Sequence, residues 1–308
     1  MKVLVSPSSF GQCGTEPIDL LKKNNYEIIP NPYGRKLTED EVIALAGECV
    51  GIVAGVEPLT PRVMDALPQL KCISRVGVGM DNVDLDYAAQ NGIAVKNMPD
   101  GPSRSVAELT IGLTFALLRK IPRADANTRK GTWEKEIGYL LMDKKIGIYG
   151  LGRIGKLTAQ MFLALGNPVI AHDIMKDEQW LKLNPVKIVD RETLFKEADI
   201  ITLHVPKARD GKPQVGEKEL SLMKPSAFLV NVARGGVVDE DCLYQFLKER
   251  RIAGAAIDVF NNEPYSGPFT QLDNTILTPH LGSYAREGKL KMEVDAVANL
   301  IAALEQNA

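Results

Sequence analysis

The residues with the clearest chemical content lie mid-chain, in Gly150-Leu151-Gly152-Arg153-Ile154-Gly155, with Asp173 downstream. Three glycines at this spacing say little alone. Here an apolar run at 146–149 precedes them, an amphipathic stretch at 156–165 follows, and Ile170-Ala171-His172-Asp173 reads as a second strand ending in an acid. Strand, glycine turn, helix, strand and terminal acid together make a dinucleotide-binding unit. Gly150 permits the tight turn, Gly152 lets backbone approach a pyrophosphate, and Gly155 lets helix and strand pack closely. The helix start offers N–H groups and a positive dipole end to phosphates. Asp173 suits the hydroxyls of an adenine ribose and repels a 2′-phosphate. Residues 174–176 supply no Arg in its place, so NAD is expected rather than NADP. The competing reading is an ordinary strand-to-helix turn with a solvent-exposed loop acid. His172 reads as structural.

A second group follows from where ligands bind in open α/β sheets, beyond the carboxyl ends of the strands. Strands read at 200–205, 227–232, 255–258 and 276–278 lead into His204-Val205-Pro206, Arg234, Asp258 with Glu263 beyond it, and His280. A cation, a carboxylate and an imidazole thus collect where a cofactor would lie. An imidazole, with an unperturbed pKa of about 6.5, moves protons near neutral pH. A guanidinium offers a planar fork of donors to a carboxylate or carbonyl. Taken singly, Arg234 could instead hold a phosphate or surface acid, Glu263 could cap a turn, and His280 could be a satisfied core histidine.

The elements that must position these groups alternate. Strands are read at 2–5, 26–29, 51–54, 72–75 and 93–95, with helices at 17–24, 38–46, 61–66 and 85–90 between them. Thr38, with Glu41 three residues on, forms a capping box. A long helix at 103–119 follows, with Pro122 near its end, then a loop around Trp133, which reads as core-packed. After the glycine unit come a strand at 187–189, helices at 190–196, 216–223 and 240–250, and a terminal helix at 284–304 with apolar residues at helical period. Such alternation implies open, mainly parallel sheets.

Composition narrows the class. At about 150 residues per domain, 308 residues suggest two domains. The chain is 45% hydrophobic and 25% charged, as in ordinary globular proteins. A net charge of −2 with no basic stripe gives no support to a nucleic-acid partner. The longest apolar run, 109–118, is too short to span a membrane, and the N-terminus enters a strand rather than a signal peptide. Four scattered cysteines form no CxxC pair or zinc spacing, so free thiols in a reducing cytoplasm and no metal are expected.

The segments 75–84 (RVGVGMDNVD), 105–109 (SVAEL), 150–155 (GLGRIG), 203–206 (LHVP), 231–236 (NVARGG) and 256–260 (AIDVF), with Glu263-Pro264 and Pro279-His280, carry a family resemblance. Over nearly its whole length the chain resembles the D-isomer-specific 2-hydroxyacid dehydrogenases, and among them the D-3-phosphoglycerate dehydrogenase-like members. The resemblance implies two doubly wound parallel-sheet domains. A Rossmann cofactor domain, 99–282, would be inserted into a flavodoxin-like substrate domain, 1–98 plus 283–308. The active site would lie in a cleft whose closure excludes water. The helix at 103–119 would join the domains and contribute to a homodimer. The implied activity is NAD-dependent interconversion of a D-2-hydroxy acid and its 2-keto acid, both small anions. Phosphoglycerate is the first candidate and hydroxypyruvate or glyoxylate reduction the second. An NAD-sensing, corepressor-like binding protein is the reading from a different class.

By the same resemblance Arg234, Glu263 and His280 form the catalytic trio. Glu263 would stabilise the imidazolium and fix its tautomer, and Arg234 would hold the substrate carboxylate and carbonyl. Arg153 and Ile154 would lie at the pyrophosphate turn, and His204, Val205 and Pro206 along the adenosine side. Val232, Ala233 and Gly282 would also meet the cofactor, and Asp258 the nicotinamide carboxamide. Backbone N–H groups of Val76, Gly77, Val78 and Gly79 would receive the substrate carboxylate. Arg75, Ser105 and Glu57 are further candidates, and Trp133 could cover a partner's cleft. The chain departs from the family pattern at 138–145, at 207–218 with its extra charges, and at 281–286, where Tyr284 would narrow the pocket. It stops at 308, so regulatory C-terminal domains and serine feedback are not expected.

Overall fold

The computed structural model describes residues 1–98 and 100–306. The chain forms two compact units, Met1–Pro102 with Ser283–Ala308, and Ser103–Gly282. The first segment runs β1 (Lys2–Val5), α1 (Glu16–Lys23), β2 (Glu27–Pro30), α2 (Glu39–Ala46), β3 (Cys49–Ala54), α3 (Pro61–Asp65), β4 (Cys72–Arg75), α4 (Leu85–Gln90) and β5 (Ala94–Lys96). The second unit runs α5 (Ser103–Arg119), α6 (Ile121–Arg129), β6 (Ile146–Tyr149), α7 (Arg153–Ala164), β7 (Val169–His172), α8 (Glu178–Leu183), β8 (Val186–Ile188), α9 (Arg191–Glu197), β9 (Ile200–Leu203), α10 (Glu217–Leu222), β10 (Phe228–Asn231), α11 (Glu240–Lys248), β11 (Gly254–Ile257) and β12 (Thr275–Leu277). α12 (Arg286–Gln306) completes the first unit.

The first unit holds a five-stranded sheet in the order β2-β1-β3-β4-β5, every pairing parallel. Alternate strand residues face opposite sides, and both sides are covered, so the strands read as apolar runs. Leu4, Ile52 and Ile73 pack with Val42, Val63 and Ala88 of the helices on one face. Val3, Val53 and Cys72 pack with Leu21, Met292 and Leu300 on the other. α12 sits close because Gly51 has no side chain; a Cβ there would come within 2.9 Å of Leu300 Cδ1. Truncating Leu300 to Ala would cost about 2–5 kcal/mol through lost burial and the residual cavity.

The second unit holds seven parallel strands in the order β12-β11-β10-β9-β6-β7-β8. Val106, Leu117 and Phe162, from α5 and α7, cover one face with Ile146 and Ile148. Phe195, Leu220 and Phe246, from α9 to α11, cover the other with Tyr149. Both units are thus doubly wound. The strand order reverses at β1/β3 in the first and at β6/β9 in the second, and these are the switch points where such sheets bind ligands.

Two helices and one side chain depart from the sequence expectation. α6 occupies part of the stretch read as loop: Lys120 turns left-handed at φ 54, and Pro122 opens a new helix, where its missing N–H costs nothing. α8 has no counterpart in the sequence reading; Asp177 caps it by accepting from Trp180 N. Trp133 is 82% exposed, so the core-packed reading of that residue is wrong. Tertiary position overrides the usual burial of a large aromatic.

Candidate active site

The glycine turn joins β6 to α7. Gly150 has φ +99, and a Cβ there would meet the His204 backbone at 2.8 Å. A Cβ on Gly155 would lie 2.0 Å from Gly150 O, so only glycine lets α7 start this close to the strand. Gly152 differs: a Cβ would meet nothing within 4 Å. That open space lies at the N-cap of α7, which has no side-chain cap, and the first turn of a helix has no carbonyls of its own to receive its N–H groups. These features fit a pyrophosphate.

Asp173 follows β7. Its carboxylate accepts from Leu151 N at 2.6 Å and Met175 N at 2.8 Å, which locks it against the glycine turn. His172 bonds Val189 O at 3.1 Å and stacks on Tyr149, a structural role. His204 follows β9 with Nε2 at 3.0 Å from Thr202 Oγ1. Its Nδ1 is shut from solvent with no partner among the described residues, and burial pushes its pKa down to about 3. Val205 is half-buried and Pro206 exposed.

The reactive trio lies on the loops after β10, β11 and β12. His280 Nδ1 is 2.9 Å from Glu263 Oε2, and Glu263 Oε1 accepts from Phe260 N at 3.0 Å. Gly235, next to Arg234, lies flat on the same Phe260; a Cβ there would be 2.0 Å from Phe260 O. Arg234 is half-buried and donates from Nη1 to Ala233 O at 2.7 Å. His280 has φ +56, unusual for a residue with a side chain and of the kind that clusters at functional sites. Its N–H donates to Asp258 O at 2.9 Å.

Asp258 is fully buried. It accepts from Thr278 Oγ1 at 2.5 Å, Leu281 N at 2.7 Å and Gly282 N at 3.0 Å. Burial raises its pKa, opposed by these bonds and by His280. Asp258 thus fastens the loop that carries His280. Sequence reasoning misses Thr278, its hydroxyl partner; only a place at a strand end could have marked it. Val232 and Ala233 are buried under the Arg234 loop, and Ser105 is buried within α5.

In the first unit the loop after β4 shows a division the sequence did not reveal. Val76 N donates to Ala54 O at 2.8 Å and Gly77 N to Arg75 O at 3.0 Å. The N–H groups of Val78 and Gly79 have no acceptor among the described residues. Only this second pair is open to an anion. Asn97 Nδ2 holds Val78 O at 2.8 Å and Met98 N holds Gly77 O at 2.9 Å, which keeps the loop in shape.

Residues 111–282 match the family described as D-isomer specific 2-hydroxyacid dehydrogenase, NAD binding domain. The chain is 37% identical over 297 residues to a D-3-phosphoglycerate dehydrogenase of Archaeoglobus fulgidus, covering 95% of this chain and 55% of the relative. It is 35% identical over 288 residues to a hydroxypyruvate reductase of Thermotoga maritima, covering 91% and 92%. It superimposes on the crystal structure of the TT0316 protein from Thermus thermophilus with a TM-score of 0.92 at 32% identity, over 99% of this chain and 97% of that one. The chain spans about half the length of the phosphoglycerate dehydrogenases it matches.

Proposed function

The chain belongs to the D-isomer-specific 2-hydroxyacid dehydrogenase family, and from that premise we propose that it interconverts a D-2-hydroxy acid and its 2-keto acid with NAD. The observation that carries the proposal is the 2.9 Å pair of His280 Nδ1 and Glu263 Oε2. It sits on loops at the carboxyl edge of the sheet that also bears the glycine turn.

The roles follow from the chemistry. Gly150, Gly152, Arg153, Ile154 and Gly155 hold the pyrophosphate, and Asp173 binds the adenine ribose. His204, Val205, Pro206, Val232, Ala233 and Gly282 line the rest of the cofactor, and Asp258 holds the His280 loop. The cofactor, when bound, supplies or takes the hydride. Glu263 fixes His280 as the tautomer protonated on Nδ1 when neutral, so Nε2 delivers a proton to the keto oxygen or takes one from the hydroxyl. Arg234 steadies the negative charge on that oxygen. The N–H groups of Val78 and Gly79 receive the carboxylate.

The test is oxidation of NADH, and separately of NADPH, across a panel of 2-keto acids. Turnover with a preference for NADH supports the reading. Tight NADH binding with no turnover on any keto acid would instead favour a cofactor-sensing protein.

The enzyme is also proposed to be a homodimer, seated on the exposed apolar segment 121–142. Trp133 is 82% exposed, Ile137 90% and Met142 68%, a patch of the kind that marks association. Sedimentation should give a dimer, and Ile137→Glu should yield monomer; a wild-type monomer at micromolar concentration would refute it. Among the described residues no helix is long and apolar enough to cross a membrane. All four cysteines are free thiols, which fits a cytoplasmic home.

A further inference from the structure

Resting on the activity proposed above, we infer that Glu240, the first residue of α11, is a positioning residue for the reaction. It fixes the Phe260–Asn261 peptide, and through that peptide the spacing between Arg234 and the Glu263–His280 pair. Nothing in the sequence marks it, since an acid in the first turn of a helix is favoured by the helix dipole alone. The fold gives it a second contact: its Oε1 accepts from Asn261 N at 2.6 Å, 21 residues further along the chain.

That N–H belongs to the peptide group on which the Arg234 loop rests. A Cβ on Gly235 would lie 2.0 Å from Phe260 O, 2.3 Å from Phe260 C and 2.8 Å from Asn261 N. The loop after β10 thus meets a single peptide group, with no room for a side chain between them. Gly236 faces the Asn261 side chain, where a Cβ would stand 3.3 Å from Oδ1. Glu240 closes on the same peptide from its N–H side. A carboxylate that accepts this N–H selects one orientation of the peptide, and the bond is charge-assisted.

Both ends of the link are firm. On the Arg234 side, Val237 N donates to Arg234 O at 3.4 Å, Gln214 N to Val237 O at 2.9 Å and Asp239 N to Val215 O at 2.9 Å. Val237 and Val238 are buried, and Asp239 caps α11 by accepting from Cys242 N at 3.0 Å. Glu240 therefore stands at a fixed reach from Arg234. On the other side, Phe260 N donates to Glu263 Oε1 at 3.0 Å, and the Phe260 ring stacks on Tyr265 with centroids 4.0 Å apart. These contacts close residues 260–265 into one turn around Glu263, whose Oε2 is 2.9 Å from His280 Nδ1. A shift of the 260–261 peptide passes to Phe260 N, and so to the carboxylate that orients the imidazole. Asp241 supplies the contrast. It is exposed, lies in the same first turn, and has no hydrogen bond to residues 260–265 among the described residues.

The experiment measures kcat, KM, the solvent isotope effect on kcat, NADH affinity and the thermal midpoint. It uses whichever of glyoxylate, hydroxypyruvate, pyruvate and 3-phosphohydroxypyruvate the wild type turns over fastest. Glu240→Asp keeps the charge at the helix start but withdraws the carboxylate from Asn261 N. Its kcat should fall by about 10- to 100-fold, as expected when catalytic groups are slightly misplaced. NADH affinity and thermal midpoint should stay at the wild-type values, and the solvent isotope effect should rise as proton delivery by His280 becomes the slow step. Glu240→Gln keeps an acceptor in reach without the charge and should hold kcat within about fivefold, since a neutral hydrogen bond is roughly half as strong as a charged one. Asp241→Ala should leave kcat within about twofold, as expected of a surface change. The reverse order, Gln impaired and Asp intact, would show that charge matters rather than the bond, and overturns the inference. So does a Glu240→Asp enzyme that matches wild type, or a fall in kcat that Asp241→Ala shares or that NADH affinity and thermal midpoint follow. In each of those cases the wild type still turns over and the parent activity stands. No turnover by the wild type on any keto acid overturns both together.

Discussion

The carboxyl edges of the two sheets handle charge in opposite ways. In the second unit His280 and Glu263 are exposed on loops, and the His280 backbone is held at φ +56 by Asp258. In the first unit Glu57, Lys289 and Glu293 are buried, Lys289 is paired with Glu293, and the Val78 and Gly79 N–H groups have no acceptor among the described residues. A group that must pass a proton has to reach the reacting atoms and change its charge. A group that only recognises an anion works best as a fixed dipole that never reorganises. Under the proposed function, the contrast puts chemistry on one edge and recognition on the other.

The sharpest way to break that contrast is His280→Ala. Turnover should fall by about 100- to 10,000-fold, the usual worth of a general acid–base group, with NADH affinity retained in fluorescence titration. An equal fall in NADH affinity would place His280 in binding instead. Next is Lys289→Met. Removing one partner of a buried pair costs about 3–5 kcal/mol, and urea unfolding should show that loss in the first unit while the second keeps its transition. A loss below about 1 kcal/mol would mean the pair is solvated like a surface bridge.

The last effect is confined to acid pH and concerns His204, a buried titratable group of the second unit. Its folded pKa, about 3, lies below the unfolded value of about 6.5. The stability it contributes is therefore present above pH 6.5 and lost as pH falls toward 3. His204→Gln should flatten the acid side of the second unit's stability curve by up to about 1.4 kcal/mol per pH unit. Parallel curves for variant and wild type would show that the ring takes up its proton in the folded state.

Much of this is legible before folding. The strands of both sheets announce themselves as short apolar runs, and the capping box at Thr38 and Glu41 forms as read. α6 is hidden because Pro122 reads equally as the end of one helix or the start of the next. Trp133 misleads because composition says nothing about which apolar residues a fold leaves outside. The trio is reachable because each member lies on the loop that follows a strand. Asn82 and Lys289 carry no such signal, and Thr278, though it follows β12, gives no hint of its partner, since their partners are Glu57, Ser9 and Asp258, distant in the chain.

The sequence by itself determined the glycine turn, the acid after it and the order of strands that carries Arg234, Glu263 and His280. These depend on local sterics and periodicity, which neighbouring residues settle among themselves. Only the tertiary structure decided that Val78 and Gly79, not Val76 and Gly77, keep open N–H groups, and that Arg75 bonds Val76 O and Asn82 in its own loop. Those outcomes depend on Ala54, Glu57 and Asn82 arriving from separate strands and loops, and a hydrogen bond exists only when both partners are in place.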